Sequence, residues 1–285
     1  MFNPDQYQLL DFGEGRKLER FGPFVLDRPA AGTETIERSL GESEWKEAAR
    51  YLRTEGERGK WSCRFPLPTT WEIMHGRTVF EVKPTEFGHV GVFPEQAACW
   101  DWISLQIERI EPPVKVLNLF AYTGGSTLAA AAKGADVVHI DSAENTVAWA
   151  RQNAALSGLA AAPIRWIVED AEKFVRRELK RGNRYDAVIL DPPSYGHGPK
   201  GETFKIADDL RPLLSLLAEV TDGAPKLLLL TCHSAGFTPA VLREQLTDAF
   251  DRELGSLAEI GELRISRQDG RALRCGNMIR LRTES

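Results

Sequence analysis

VLNLFAYTGGSTLAAAA (residues 116–132) sets an apolar run against a small-residue loop and then an alanine-rich stretch. In that order the three pieces read as a strand, a tight turn and a helix. Such a loop suits three ligand classes: a phosphate, a dinucleotide, or an adenosyl group without phosphate. A phosphate loop of GxxxxGK[ST] type needs a lysine beside a serine or threonine, and none follows here. A dinucleotide fingerprint needs GxGxxG, and only Gly124-Gly125 is present.

Working outward, strands and helices alternate. DVVHID (136–141) reads as a strand, and SAENTVAWARQNAALSG (142–158) as a helix capped by Ser142. IRWIV (164–168) and DAEKFVRRELKRG (170–182) repeat the pair. YDAVILD (185–191) and KLLLLTC (226–232) are further strands, and TPAVLREQLTDAF (238–250) is a helix. Short apolar strands without alternation, each followed by a helix, indicate a parallel sheet covered on both faces. The last stretch, residues 262–282, reads as two strands joined near Asp269-Gly270, an antiparallel hairpin closing one edge. Ahead of the sheet, PEQAACWDWISLQIERI (94–110) has a helical period that places Ala98, Trp102, Leu105 and Ile110 on one face.

Residues 1–91 have another texture and are expected to form a small β-rich domain, with 92–285 as the α/β domain. RFGPFVLDRP (20–29) reads as a strand stopped by proline, and WEIMHGRTVFEVKP (71–84) as a hairpin around His75-Gly76. The charged stretch 35–59 between them is expected to be one short helix plus loop. Trp45, Trp61 and Trp71 are read as filling a small core, with an aromatic platform for bases as the alternative.

The chain has 285 residues and 42% hydrophobic content, ordinary for a protein with a buried core. Its net charge of −5 gives no global argument for nucleic acid, though a local basic patch is compatible with it. Four cysteines far apart form no CxxC pair, so neither a zinc site nor a disulfide framework is expected. The first twenty residues lack the apolar core of a signal peptide, and no apolar run is long enough for a bilayer. A cytoplasmic setting follows, with no metal and no membrane, and with oligomeric state open.

Ligands on parallel sheets bind at the carboxyl ends of the strands. Read in order, those ends hold Asn118 to Gly125, then Asp141, Glu169-Asp170, Asp191, and Thr231-Cys232-His233. Three acidic ends form a poor cradle for a pyrophosphate. They suit a ligand with hydroxyls, an exocyclic amine and an ammonium group, as adenosylmethionine has. Asp141 can accept from both ribose hydroxyls and Asp170 from the adenine amine. The glycines let the backbone approach the ligand. A strand-end aspartate can equally be a helix cap, but Ser142 already offers a cap beside Asp141. In DPPSYG (191–196) two prolines end the strand and stiffen the chain. Asp191, with the carbonyls of Pro192 and Pro193, makes a rigid ledge that can accept hydrogen bonds from a planar base.

The segments NLFAYTGG (118–125) and DPPS (191–194) resemble those of class I S-adenosylmethionine-dependent methyltransferases. More narrowly, the chain from about Gly88 onward is similar to the bacterial large-subunit ribosomal RNA methyltransferases that make 5-methylcytosine or 7-methylguanine. That resemblance implies a Rossmann-like sheet of seven strands, the last antiparallel. It places Asn118, Phe120, Ala121, Tyr122, Thr123, Gly124 and Gly125 in the cofactor loop. Asp141 and Ser142 fall at the ribose position, Asp170 and Ala171 at the adenine position, and Asp191 beside the transferred methyl. Where the family carries Asp-Gln-Arg and a second Arg, this chain has Glu95, Gln96, Ala97 and Trp100; Gln96 is retained as a cofactor-binding candidate. The resemblance implies ribosomal RNA as substrate, with Pro193, Ser194 and Tyr195 meeting it. A protein or small-molecule acceptor is the alternative, a non-catalytic cofactor-binding module a further one, and a nicotinamide oxidoreductase a remote one.

What the chain must add to a sulfonium leaving group depends on the acceptor atom. Guanine N7 needs only positioning. An exocyclic amine needs its proton accepted, within reach of Asp191 and the Pro192 carbonyl. Cytosine C5 needs a thiolate to add at C6, and Cys232, where related 5-methylcytosine enzymes carry their nucleophile, is the candidate; a buried core thiol is the other reading. Basic residues in 173–184 and Arg264, Arg267, Arg271 and Arg274 are candidates for phosphate contact, with solvated helix faces as the alternative. The loop 194–205 is expected to cover the acceptor.

Overall fold

The computed structural model describes residues 1–54, 56, 58–250 and 257–283. Its contacts divide into two units, Met1–Ala97 with Arg264–Arg274, and Ala98–Leu263 with Cys275–Ser285.

In the first unit a five-stranded sheet runs in the order β1 (Tyr7–Gly13), β2 (Arg16–Phe21), β3 (Phe24–Pro29), β4 (Ala49–Arg53) and β5 (Gly59–Ser62), with α1 (Glu42–Lys46) between β3 and β4. Residues 71–84 form the expected hairpin, β6 (Trp71–His75) and β7 (Thr78–Val82). The charged stretch departs from expectation. Its helix has five residues, and ARYLR is a strand, because Tyr51 is buried while Arg50 and Leu52 turn outward, the period of two that a sheet face imposes. Trp45 is buried among Leu18 and Ala48. Trp61 and Trp71 spend their indole N–H groups on the carbonyls of Thr85 and Phe21, at 2.9 and 3.1 Å. These three rings are therefore structural.

Two buried acids organise this unit. Glu19 accepts from the Tyr7 hydroxyl at 2.9 Å and pairs with Arg28 at 2.6 Å and Lys17 at 3.2 Å. Asp11 accepts the backbone amides of Ser39 and Leu40 and the Nη1 of Arg267 at 2.7 Å. Arg271 meets the carbonyls of Phe12 and Glu37, both at 3.2 Å, and lies over the Phe12 ring. Arg267 and Arg271 thus hold the hairpin tip to this unit, and the phosphate reading of that pair is corrected. Local charge density does not reveal a partner more than 200 residues away.

In the second unit, α2 (Ala97–Ile107) leads to β8 (Lys115–Leu119), α3 (Gly125–Ala131), β9 (Asp136–Asp141), α4 (Glu144–Leu156), β10 (Ile164–Val168), α5 (Ala171–Lys180) and β11 (Ala187–Leu190). A small hairpin, β12 (Tyr195–His197) and β13 (Thr203–Lys205), precedes α6 (Ile206–Val220), β14 (Leu227–Cys232), α7 (Pro239–Ala249), β15 (Glu259–Ser266) and β16 (Ala272–Arg282). The seven-stranded sheet has the order β10-β9-β8-β11-β14-β16-β15, with β16 antiparallel to β14, as expected. β11 and β14 are buried at every position, since helices cover both faces. Order reverses between β8 and β11, so the loops after these two strands lie side by side, where a parallel sheet opens its crevice.

Three readings change here. In α2, Ala98 and Leu105 are exposed, and the buried face is Cys99, Trp100, Ile103 and Ile107. The buried face differs from the expected one because the Trp100 ring, set against Gly125, is turned inward. Residues 206–220, where no element is expected from the sequence, form a helix whose Ile206, Leu210, Leu213, Leu214 and Leu217 are buried at helical spacing. Ser142 caps nothing, because α4 begins after Ala143 and no side chain bonds its first turn. Among the described residues, no helix is long and apolar enough to cross a membrane.

Candidate active site

The loop after β8 is tightly specified. Phe120 and Tyr122 hold φ of 53° and 49°, a left-handed conformation costly for residues with side chains, and Gly124 follows at 93°. Neighbours pin it: Ala121 donates to the Ile140 carbonyl at 3.0 Å, and Asn153 Nδ2 donates to the Thr123 carbonyl at 2.9 Å. A Cβ on Gly125 would lie 2.5 Å from Cε2 of Trp100, so the ring standing in place of the family's arginine requires glycine there. Asn118 faces away from the loop's surface. Its Nδ2 donates to Thr127 Oγ1 at 2.9 Å, and Thr127 meets His139 Nδ1 at 2.9 Å. Burial drives the His139 pKa down to about 3, so this ring is neutral. Asn118 therefore supports the loop from below.

Asp141 is what ties the loop to β9. Its Oδ2 accepts the Tyr122 amide at 2.9 Å and its Oδ1 the Ala143 amide at 3.0 Å. Burial pushes the carboxyl above its ordinary range, against the amides of Ala143, Tyr122 and Ser142, which pull it down. The carboxylate is thus committed to backbone, in contrast to the free group expected from a Ser142 cap. Each oxygen still has a second lone pair. Asp170 is a helix cap, accepting the Lys173 amide at 2.9 Å.

Asp141, Ser142, Asp170 and Ala171 line one cleft with Phe120 and Ile140. Its opposite side is Pro193, Gly196, His197, Gly198 and Phe204, from the loop after β11 and the β12–β13 hairpin. Residues 194–205 were expected to cover the acceptor; here they wall the cleft of Asp141 and Asp170. Phe204 packs on Phe120 with centroids 4.9 Å apart, and the hairpin is latched by an ion pair between Lys173 of α5 and Glu202. Glu169 and Phe204 were not singled out by the sequence. Glu169 was visible beside Asp170 at a strand end, whereas Phe204 reaches the cleft only through the hairpin. Gln96 is buried in a 3₁₀ turn, Pro94–Gln96, and belongs to the N-terminal unit.

The ledge after β11 is as expected in form. Pro192 is buried, Pro193, Ser194 and Tyr195 are exposed, and Asp191 is partly so. Ser194 Oγ meets Ser234 Oγ at 2.7 Å, which joins the ledge to the end of β14. Cys232 does not open onto it. The side chain is wholly buried within the apolar cluster around β11, β14 and α6. Burial raises its thiol above its ordinary pKa, Ser234 opposes that rise, and the Asp191 charge adds to it. A nucleophile needs the thiolate and access, and this position supplies neither. Arg176 and Arg177 of α5 pair with Glu172 at 2.7 Å and Glu169 at 2.5 Å, and Arg181, just after the helix, pairs with Glu178 at 3.2 Å. The solvated-face reading describes them.

A left-handed, glycine-bearing loop beside a buried acid with lone pairs to spare fits S-adenosylmethionine. Replacing Asp141 by alanine should raise the Kd for it about 30- to 100-fold, the worth of one or two hydrogen bonds to a charged acceptor. Calorimetry reads this, and an unchanged Kd would remove Asp141 from the site.

Residues 48–266 match the family described as S-adenosylmethionine-dependent methyltransferase. A crystal structure of a SAM-dependent methyltransferase from Agrobacterium tumefaciens is 35% identical, covers 98% of this chain and 91% of its own, and superposes with a TM-score of 0.91. Ribosomal RNA large subunit methyltransferase I of Aeromonas hydrophila is 31% identical over 150 residues, which are 52% of this chain and 37% of that one. Ribosomal RNA large subunit methyltransferase K/L of Shewanella baltica is 32% identical over 116 residues, 40% of this chain and 16% of that one. The chain thus spans well under half the length of these two relatives.

Proposed function

Since the chain belongs to the S-adenosylmethionine-dependent methyltransferase family, we propose that the acceptor of its methyl group is a base in ribosomal RNA. The observation that carries this reading is the exposed Pro193-Ser194-Tyr195 ledge beside Asp191, a rigid edge where a flipped-out base can stack and hydrogen-bond. The two relatives named for ribosomal RNA methylation support it.

Asp141 and Ser142 would hold the ribose of the cofactor, Asp170 and Ala171 its adenine end, and the loop from Phe120 to Gly125 the amino-acid end. S-adenosylmethionine, when bound, supplies a methyl group on a sulfonium that leaves readily. The chain's task is to orient the acceptor and exclude water, and the strained loop and hairpin-covered cleft suit that task. With Cys232 buried, the geometry favours a base nitrogen over cytosine C5, because only C5 requires a thiolate. Asp191 and the Pro192 carbonyl are the groups placed to accept from such a nitrogen. Four free thiols fit a reducing cytoplasm as the proposed setting.

Mapping modified nucleotides in ribosomal RNA from a deletion strain tests this. One modification should vanish, and return when either the wild-type gene or Cys232→Ala is restored. An unchanged map would move the acceptor to a protein or small molecule. A map restored by wild type but not by a stably folded Cys232→Ala variant would return the reading to cytosine C5.

A further inference from the structure

β14 ends in Thr231-Cys232, and the two side chains at 232 and 233 part company. Cys232 turns into the core, while His233 is exposed. The His233 ring is held at Nδ1 and turns Nε2 toward Asp191. Nδ1 lies 2.9 Å from the carbonyl oxygen of Cys275 on β16. A carbonyl only accepts, so Nδ1 carries the hydrogen. Nε2 lies 3.5 Å from Asp191 Oδ1. Gly276 makes this possible, since a Cβ there would stand 2.6 Å from the Cys232 carbonyl oxygen and 3.1 Å from His233 Nδ1. Both side chains remain about one third exposed, 31% for Asp191 and 32% for His233, so a substrate can reach the pair.

We propose that Asp191 and His233 work as one proton-accepting pair for a base nitrogen that bears a hydrogen, with His233 a positioning residue acting through Asp191. This rests on the reading that the acceptor is a nucleic-acid base, and narrows it to an amine or ring N–H. The nitrogen's lone pair forms the new N–C bond to the methyl carbon. The C–S bond breaks, and its electrons stay on sulfur, leaving a neutral thioether. The proton on nitrogen passes to the Asp191 carboxylate and on to Nε2, then to solvent. Because Nδ1 is already protonated, Nε2 is the one ring position that can take it. The resulting imidazolium sits beside a carboxylate, an arrangement that favours its charge. Among the described residues, the titratable groups beside His233 include Asp191, just after β11, Cys232 at the end of β14 and Cys275 on β16.

Two readouts test the pair. The first needs no acceptor: long-range proton–nitrogen NMR of the imidazole with S-adenosylhomocysteine added. The neutral ring should be the Nδ1–H tautomer, and Asp191→Asn should move its titration to lower pH. The second is transfer to deproteinised ribosomal RNA from the deletion strain. In His233→Asn the amide replaces Nδ1 toward the Cys275 carbonyl and Nε2 is lost; kcat should fall about 100-fold, with KM and cofactor Kd within about twofold. The fall in kcat at low pH should move to lower pH in this variant, since only the Asp191 carboxylate is then left to be protonated. His233→Gln, which restores a polar group near Nε2 without a titratable nitrogen, should be equally slow. An Nε2–H tautomer, a titration indifferent to Asp191→Asn, or His233→Asn turning over within threefold of wild type with an unchanged pH profile would overturn the pair. If the wild-type protein leaves the RNA unmodified, the acceptor reading falls, and the tautomer with its Asp191 coupling decides the pair alone.

Discussion

Asp191→Ala should lower kcat by about 10³-fold and leave the cofactor Kd within a few-fold. The residue follows the last position of a fully buried strand, and the chain after it is fixed by two prolines. A side chain held so firmly supplies direction as well as charge. A positioned proton acceptor contributes about 10² to 10⁴ in rate, and loss of orientation adds to that. The loop that carries Asp141 and Tyr122 contacts does not depend on Asp191, so binding should survive. Asp191→Asn, equal in size and able to hydrogen-bond but unable to take a proton, should be nearly as slow as alanine. Single-turnover transfer of a labelled methyl group reads both. A rate within tenfold of wild type for either variant would place the proton's path elsewhere.

The second large effect belongs to stability. Removing Arg28 leaves the buried Glu19 carboxylate short of a partner, with Lys17 and the Tyr7 hydroxyl still beside it; breaking a buried ion pair on one side costs up to about 3–5 kcal/mol. Arg28→Met should therefore unfold the N-terminal unit at lower temperature. Adding Glu19→Leu should recover part of the loss, since it removes the under-compensated charge. Burial acts to raise the Glu19 pKa, but Arg28 and Lys17, with hydrogen bonds from Tyr7 and Arg28, more than reverse it, so the pKa is depressed. A depressed carboxyl stabilises the fold above its unfolded pKa, near about 4.3 for glutamate. That contribution is lost as pH falls through the lower folded value. Thermal denaturation of the wild type between pH 7 and pH 3 should show this decline, and the double variant should show less of it. Equal acid sensitivity in both would mean that Glu19 is not the group responsible.

Why was the sheet so much easier to read than its surroundings? Strands buried on both faces need apolar residues at every position, so KVLNL, AVIL and LLLLTC stand out from the chain around them. The acids at their ends were legible because a parallel sheet places all of its strand termini on one edge. Partner choice was not. Asp141 turned out to hold backbone amides, and Ser142 to cap nothing, since the first turn of α4 begins one residue later. Cys232 and His233 look alike as candidates in a linear string. Only the side each takes at the end of β14 separates a core thiol from an accessible imidazole. In the N-terminal unit, short half-buried strands such as ARYLR carry too few apolar residues to outvote their charges. Phe204 joined the cleft through a small hairpin that no periodicity announces.

The chain's return to its first unit has a consequence for how the molecule is made. Residues 264–274 complete that unit, and they are synthesised after most of the second. Asp11 is polymerised some 250 residues before Arg267, its partner at 2.7 Å. Over that interval the nascent N-terminal sheet holds a carboxylate whose arginine does not yet exist. Vectorial synthesis therefore cannot finish the two units in the order in which they begin.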